Sequence, residues 1–230
     1  DNHTRFDTVN DSNYASLCFY ANPVWVNVEE AQTEGMENGS ADLDLTKIAG
    51  YSAGQFDVDG GVMEIVAYNS VNGCAYAVNG KSGLLAVIPM DELKDTGVVA
   101  DLTGTSFDVK AAVEAADDAF SYGDMTSVAV SPDGSTLAAA LQAEGYADAG
   151  RVALFTCSAD GSLTFRKLVT VGVQPDMVTF ADNNTVLTAD EGEPREGYGE
   201  GTTDPKGSVS VVDVTAGTAA VADFTAFDEQ

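Results

Sequence analysis

Three stretches of this chain repeat one pattern at a spacing of about 50 to 60 residues: strand, tight turn, strand, loop, strand and closing strand. The first strands read Glu64–Tyr68, Thr126–Val130 and Asp176–Phe180, short and rich in β-branched and apolar residues. Turn chemistry follows each at Ser70–Gly73, Ser131–Gly134 and Asp182–Asn184, with Asn-Gly at 72–73 and Asp-Gly at 133–134 and 160–161. Second strands lie at Ala75–Val78, Leu137–Ala140 and Val186–Ala189, and third strands at Leu84–Ile88, Arg151–Phe155 and Ser208–Val212. Fourth strands are expected at Val98–Leu102, Leu163–Leu168 and Ala219–Phe224.

Four antiparallel strands per unit, repeated at this period, are the sequence form of β-propeller blades. The fold class is therefore all-β: about three blades of a partial propeller, at about 62–105, 124–172 and 174–226 within a region spanning 43–230. The stretch 108–120 (DVKAAVEAADDAF) spaces its apolar residues as a helix does and reads as a short helical connection between the first two blades. Leu43–Ile48 alternates as a strand and stands as an orphan outer strand ahead of the first blade. Residues 1–42 read as an irregular leader, relieved by Ala15–Tyr20 and by the alternating Pro23–Val28 with Trp25. Propeller rings need roughly four to eight blades, so the expected partner is the remaining blades of the same polypeptide, or a partner chain that completes the ring.

Charge narrows the function. The chain carries 37 acidic against 10 Lys and Arg residues, a net charge of −27. Such a field repels nucleic acid and anionic membranes, so neither is expected as a partner. No apolar run approaches the roughly 18 residues a membrane-spanning helix requires. The chain opens on Asp1, and an acidic protein of this kind suits a secreted or cell-surface location. Cys18, Cys74 and Cys157 form no CxxC pair, and the spacing leaves the pairing of any disulfide open. His3 is the sole histidine, which argues against a nucleophile–histidine machine within this region.

In a propeller the first strands line a central channel, and the loops after the second strands share one face. Glu64, Thr126 and Asp176 then occupy equivalent inner positions, and loops beginning near Asn79, Gln142 and Asp190 lie together. The acids there include Glu144, Asp190, Glu191, Glu193, Glu196 and Asp204. Glu64, Asp176, Asp190, Glu191 and Glu193 are the candidate metal ligands, because carboxylates converging from separate blades suit Ca²⁺ or another hard divalent cation. Asn79, Gln142, Glu144 and Arg195 are the candidate ligand-binding residues; Arg195 fits either an ion pair with a neighbouring acid or an anionic ligand. Against the metal reading, an acid at the start of an inner strand also serves to bond backbone N–H groups of the next blade. The DVDGG at 57–61 fails the EF-hand spacing and reads as a turn.

The motifs Glu64–Tyr68, Leu168–Gly172, Pro175–Phe180, Glu191–Pro194 and Asp204–Ser210 resemble the choice-of-anchor I proteins, over about residues 43–228. That resemblance implies a secreted or surface propeller. It also implies similarity to propeller lactonases and, more distantly, to propeller alkaline phosphatases. Two functions stay open: a module that binds a ligand or partner through its acidic loop face, with a bound divalent cation, or a metal-dependent hydrolase of phosphate esters or lactones with its site in the channel. The scarcity of basic residues to hold a phosphate weighs against the second.

Overall fold

The computed structural model describes residues 16–21, 46–56, 62–90, 93–94 and 96–227. Most of the leader, with Trp25, and the DVDGG segment lie outside the described residues. Two strands come first, β1 (Ser16–Ala21) and β2 (Thr46–Ser52), paired antiparallel. The first blade contributes β3 (Val66–Asn69), β4 (Cys74–Asn79) and β5 (Leu84–Pro89). A two-residue strand β6 (Ala100–Asp101) leaves to pair parallel with β2, and β7 (Thr105–Asp108) returns to close the blade beside β5. Helix α1 (Val109–Ala116) follows at once, its first turn capped by Asp108, which accepts from the Ala111 N–H at 2.8 Å.

The second blade is β8 (Tyr122–Val130), β9 (Thr136–Ala143), β10 (Ala149–Cys157) and β11 (Leu163–Val173). The third is β12 (Pro175–Phe180), β13 (Thr185–Asp190), β14 (Ser208–Asp213) and β15 (Thr218–Asp223). All three blades are four-stranded sheets in sequential order. The chain is thus an all-β assembly of propeller blades.

Two expectations need correction. The fourth strand of the first blade is Thr105–Asp108, not Val98–Leu102. Val98 and Val99 are exposed, whereas Phe107 turns inward and meets Phe155 edge-on at 5.3 Å between ring centroids. The strand expected to stand alone near 43–48 begins at Thr46, and β1 and β6 flank it on its two edges.

Alternation along β9 explains how the blades stack. Leu137, Ala139 and Leu141 point toward the first blade, where Tyr76, Val78, Leu85 and Phe155 form one core with Val109 and Val113 of the helix. Ala138 and Ala140 point the other way, into a second core with Val152, Leu154, Val178, Val186 and Val212 of blades two and three. Large residues on one face and alanines on the other let a central blade fill two unequal gaps. Full burial of a side chain such as Phe155 contributes about 1.5–3 kcal/mol. The outer face of the first blade, with Ala75, Ala77 and Ile88, is packed by Tyr51, Met63, Met90 and Leu102.

The hairpin turns collect at one end of the blades. There Asp133 accepts from Ser131, Ser135 and the Ser135 N–H, Asp160 from Ser162, Asp182 from the Asn184 and Thr185 N–H groups, and Asp213 from the Ala216 N–H. Donors aimed at the ionised form hold all four carboxyls below the usual aspartate range. The opposite end, where the inner strands begin, is different.

Candidate functional site

Strand β8 lies between β3 and β12, so these three inner strands stand side by side. Thr126 Oγ1 donates to the Pro175 carbonyl at 2.7 Å, and the Val178 N–H donates to Ser127 Oγ at 3.2 Å, which stitches β8 to β12. At their starting ends the strands present Glu64, Asp124 and Asp176, all exposed. Partial desolvation, then the charges of Asp124 and Asp176, pushes the Glu64 carboxyl above its ordinary range. Asp124 is also raised by desolvation, opposed by the Met125 N–H that donates to its Oδ1 at 2.8 Å and by the positive charges of Arg195 and Lys81.

Asp124, not Thr126, is therefore the second blade's counterpart of Glu64 and Asp176. Two irregularities in the pairing of β8 with β9, between Tyr122 and Asp124 and between Met125 and Ser127, displace the count of residues along the strand. The signal was present: Asp-Met occurs at 124–125 and again at 176–177. Gly80 packs so tightly on Asp124 that a β-carbon there would overlap its Oδ1.

The loop after β13 completes the group. Glu191 is raised by desolvation first, then by Asp176 and Glu193, with Arg195 acting the other way. Gln174 holds this loop in place. It is 2% exposed, carries a φ of 54° unusual for a residue with a side chain, and its Nε2 donates to the carbonyls of Tyr146 and Glu193 at 2.7 and 2.8 Å. Its Oε1 accepts from the Glu193 N–H at 3.2 Å, and its carbonyl accepts from the Glu191 N–H at 2.9 Å. Gly192, with φ of 63°, crosses directly over the Lys206–Gly207 peptide. No feature of the sequence marked Gln174 for this task, since a clamp between loops leaves no periodic trace.

The remaining predicted residues fall in several places. Arg195 Nη2 donates to Gln142 Oε1 at 2.9 Å, and Gln142 is buried and paired with Asp124 across β9 and β8. Asn79, 4% exposed at the end of β4, donates from Nδ2 to Gln55 Oε1 at 2.9 Å, while its Oδ1 is buried without a hydrogen-bond partner. Asp190 is 3% exposed, and its oxygens accept from the hydroxyls of Thr188, Ser208 and Ser210 at 2.7–2.8 Å. Glu193 and Glu144 are exposed; Glu144 is anchored through its N–H to the Ser121 carbonyl. Asp204 lines an open cavity of about 370 Å³ at the loop tip with Pro194, Tyr198, Glu200 and Thr202. Among the described residues, no three acidic, His or Cys side chains converge on a single-ion position.

The model of the choice-of-anchor I domain matches residues 64–230. The chain belongs to the choice-of-anchor I family. A search of curated proteins returns no match. Among solved structures, a protein from Lactobacillus plantarum aligns with this choice-of-anchor I domain at a TM-score of 0.50 and 14% identity, covering 78% of this chain and 45% of that one. The periplasmic gluconolactonase of Pseudomonas aeruginosa aligns at 0.49 and 17%, covering 70% and 39%. A putative 6-phosphogluconolactonase from Bacteroides fragilis aligns at 0.46 and 18%, covering 74% and 40%. Likeness at such identity speaks to fold alone. The choice-of-anchor I chain spans less than half the length of these three structures. No helix among its described residues is long and apolar enough to cross a membrane.

Proposed function

We propose that this domain is a ligand-binding propeller module of an extracellular or cell-surface protein, and that the acids at the starts of its inner strands receive a cationic ligand. The remaining blades are supplied by the rest of the same polypeptide. One observation carries the reading: Glu64, Asp124, Asp176 and Glu191 gather from three different blades at one end, and besides desolvation the charges of Asp124 and Asp176 raise Glu64 while Asp176 and Glu193 raise Glu191, so the group holds crowded like charge. A positive ligand relieves that repulsion. Because the acids do not converge on one point, the ligand is a hydrated divalent cation or a partner's basic group spread over several carboxylates.

Calcium titration by isothermal calorimetry at low ionic strength tests this directly. Saturable binding is expected in the wild type, weakened at least several-fold in Glu64→Gln with Asp176→Asn. Absence of binding, or equal affinity in the double variant, overturns the reading. Turnover of a lactone or phosphate ester that depends on the same two residues would convert the module into the hydrolase that the sequence left open.

A further inference from the structure

We infer that Cys74 and Cys157 are a redox pair, and that in an oxidising medium they close a disulfide across the seam between the first and second blades. The seam lies at the turn end of the blades, and the pair owes nothing to the acidic group at the other end.

Strand alternation brings the two thiols to one gap. β4 opens on Cys74 and turns Cys74, Tyr76 and Val78 toward the second blade, while β10 closes on Cys157 and turns Ala153, Phe155 and Cys157 toward the first. All of them pack in the core that the two blades share. The β10–β11 turn then folds over Cys74: a β-carbon on Gly161, in the turn that follows Cys157, would overlap the Cys74 sulfur. Asn72 and Tyr76 tie the same turn down. Asn72 Nδ2 donates to the Ser158 carbonyl at 3.0 Å and to Tyr76 Oη at 2.8 Å, and Tyr76 Oη donates to the Gly161 carbonyl at 3.0 Å. The Cys74 thiol donates weakly to the Asn72 carbonyl, 3.7 Å from sulfur to oxygen. Burial raises the Cys157 thiol above its ordinary range against hydrogen bonds with the side chains of Tyr76 and Asn69, and the nearby Cys74 adds to the rise. One frame of Asn72, Tyr76 and the turn thus holds both sulfurs.

The third cysteine, Cys18, stands on β1 opposite Gly50 of β2, in the separate sheet that includes β6. That sheet packs through Tyr51 on the other face of the first blade, away from the seam. Depth assigns the two steps of the exchange. Cys157 is half-buried and Cys74 is buried, so a small-molecule disulfide reaches Cys157 first. The Cys157 thiolate attacks it, one thiol leaves, and a mixed disulfide remains on Cys157. The Cys74 sulfur then attacks the Cys157 sulfur and the second thiol leaves, so the Cys74–Cys157 bond replaces the S–S bond of the reagent. Two protons pass from the cysteines to the two released thiols, and two electrons reduce the reagent. The closed bond encloses all the chain between Cys74 and Cys157, and so long a loop restricts the unfolded state strongly.

The test treats the reduced, folded chain with oxidised glutathione, alkylates the remaining thiols in denaturant and maps the tryptic peptides by mass spectrometry, beside Cys157→Ser and Cys74→Ala. A cross-link between peptides 48–81 and 152–166 is expected, with Cys18 still alkylated. The oxidised chain should melt about 5–15 °C above the reduced one, and both variants should lose the link and the rise. A lasting glutathione adduct on Cys157 without the link shows that Cys74 does not reach it and overturns the pair. A link through Cys18, a link that forms only in denaturant, or no reaction at either cysteine overturns it too. A native link that leaves the melting temperature unchanged or lowers it overturns the unstrained closure of the seam.

Discussion

Asp190 gives the clearest separation between a structural and a ligand-binding carboxylate. Its Oδ1 accepts from Thr188, its Oδ2 from Ser208 and Ser210, and Ser210 Oγ in turn accepts from the Gly172 N–H of the second blade at 3.0 Å. A β-carbon on Gly172 would overlap both Asp190 and Ser208, so the second and third blades meet here without slack. Replacing Asp190 by Ala strips one acceptor from three buried hydroxyls. Each hydrogen bond to a charged group contributes about 1.5–3 kcal/mol, but the hydroxyls can turn to other acceptors and the cost of burying the charge is recovered. A net loss of about 3–5 kcal/mol follows, comparable to other broken buried networks. At about 2–4 °C per kcal/mol for a chain of this size, the melting temperature falls by roughly 6–20 °C. Asp190→Asn keeps the shape and one acceptor, and should fall between the variant and the wild type. Circular dichroism melts and denaturant titrations measure both, and Ca²⁺ affinity of Asp190→Asn should match the wild type. A melting temperature of Asp190→Ala within about 2 °C of wild type, or loss of binding without loss of stability, refutes the latch and restores Asp190 as a ligand.

Two further outcomes follow from the same end of the blades. Gln174→Ala removes three side-chain hydrogen bonds and should cost about 2–4 kcal/mol, with amide exchange rising across residues 191–205. Gln174→Gly should be milder by about 1 kcal/mol because it relieves the left-handed backbone, and the reverse order would refute that strain. Glu64 retains its proton to higher pH when folded than when unfolded, so the folded state binds more protons and stability falls as pH rises through that window. Glu64→Gln should therefore stabilise the domain at neutral pH, by less than about 1 kcal/mol for so exposed a group. The gain should vanish below the ordinary glutamate range; a gain that persists in acid, seen in denaturant titrations across pH, would contradict the repulsion.

Blades two and three were legible in the sequence because each local signal agreed with the next: Asp-Gly turns, alternating strands and a β9 whose Leu137–Leu141 segment is apolar and buried on both faces. The first blade was harder. Val98–Leu102 has the composition of a strand, yet Val98 and Val99 face solvent and Leu102 packs on the outer face, and the pairing beside β5 falls to the less conspicuous Thr105–Asp108 because Phe107 has a ring to pack against. The candidate site was half visible. Glu64 and Asp176 stood out by position, but bulges in β8 hid Asp124, and a bulge is a backbone event with no composition of its own. Asp190 stood in the sequence among the candidate metal ligands; the three hydroxyls that donate to it come from Thr188, Ser208 and Ser210, on two neighbouring strands, and only pairing brings them together.

The two ends of the blades hold their protons on different schedules. At the turn end Asp133, Asp160, Asp182 and Asp213 stay ionised to lower pH than ordinary aspartates, while at the other end Glu64, Asp124 and Glu191 take up protons early. Mild acidification thus weakens the charge of the three raised acids before it touches the four turn aspartates. The balance of a broadly anionic particle's field then moves toward the turn end, which biases how it faces a charged surface.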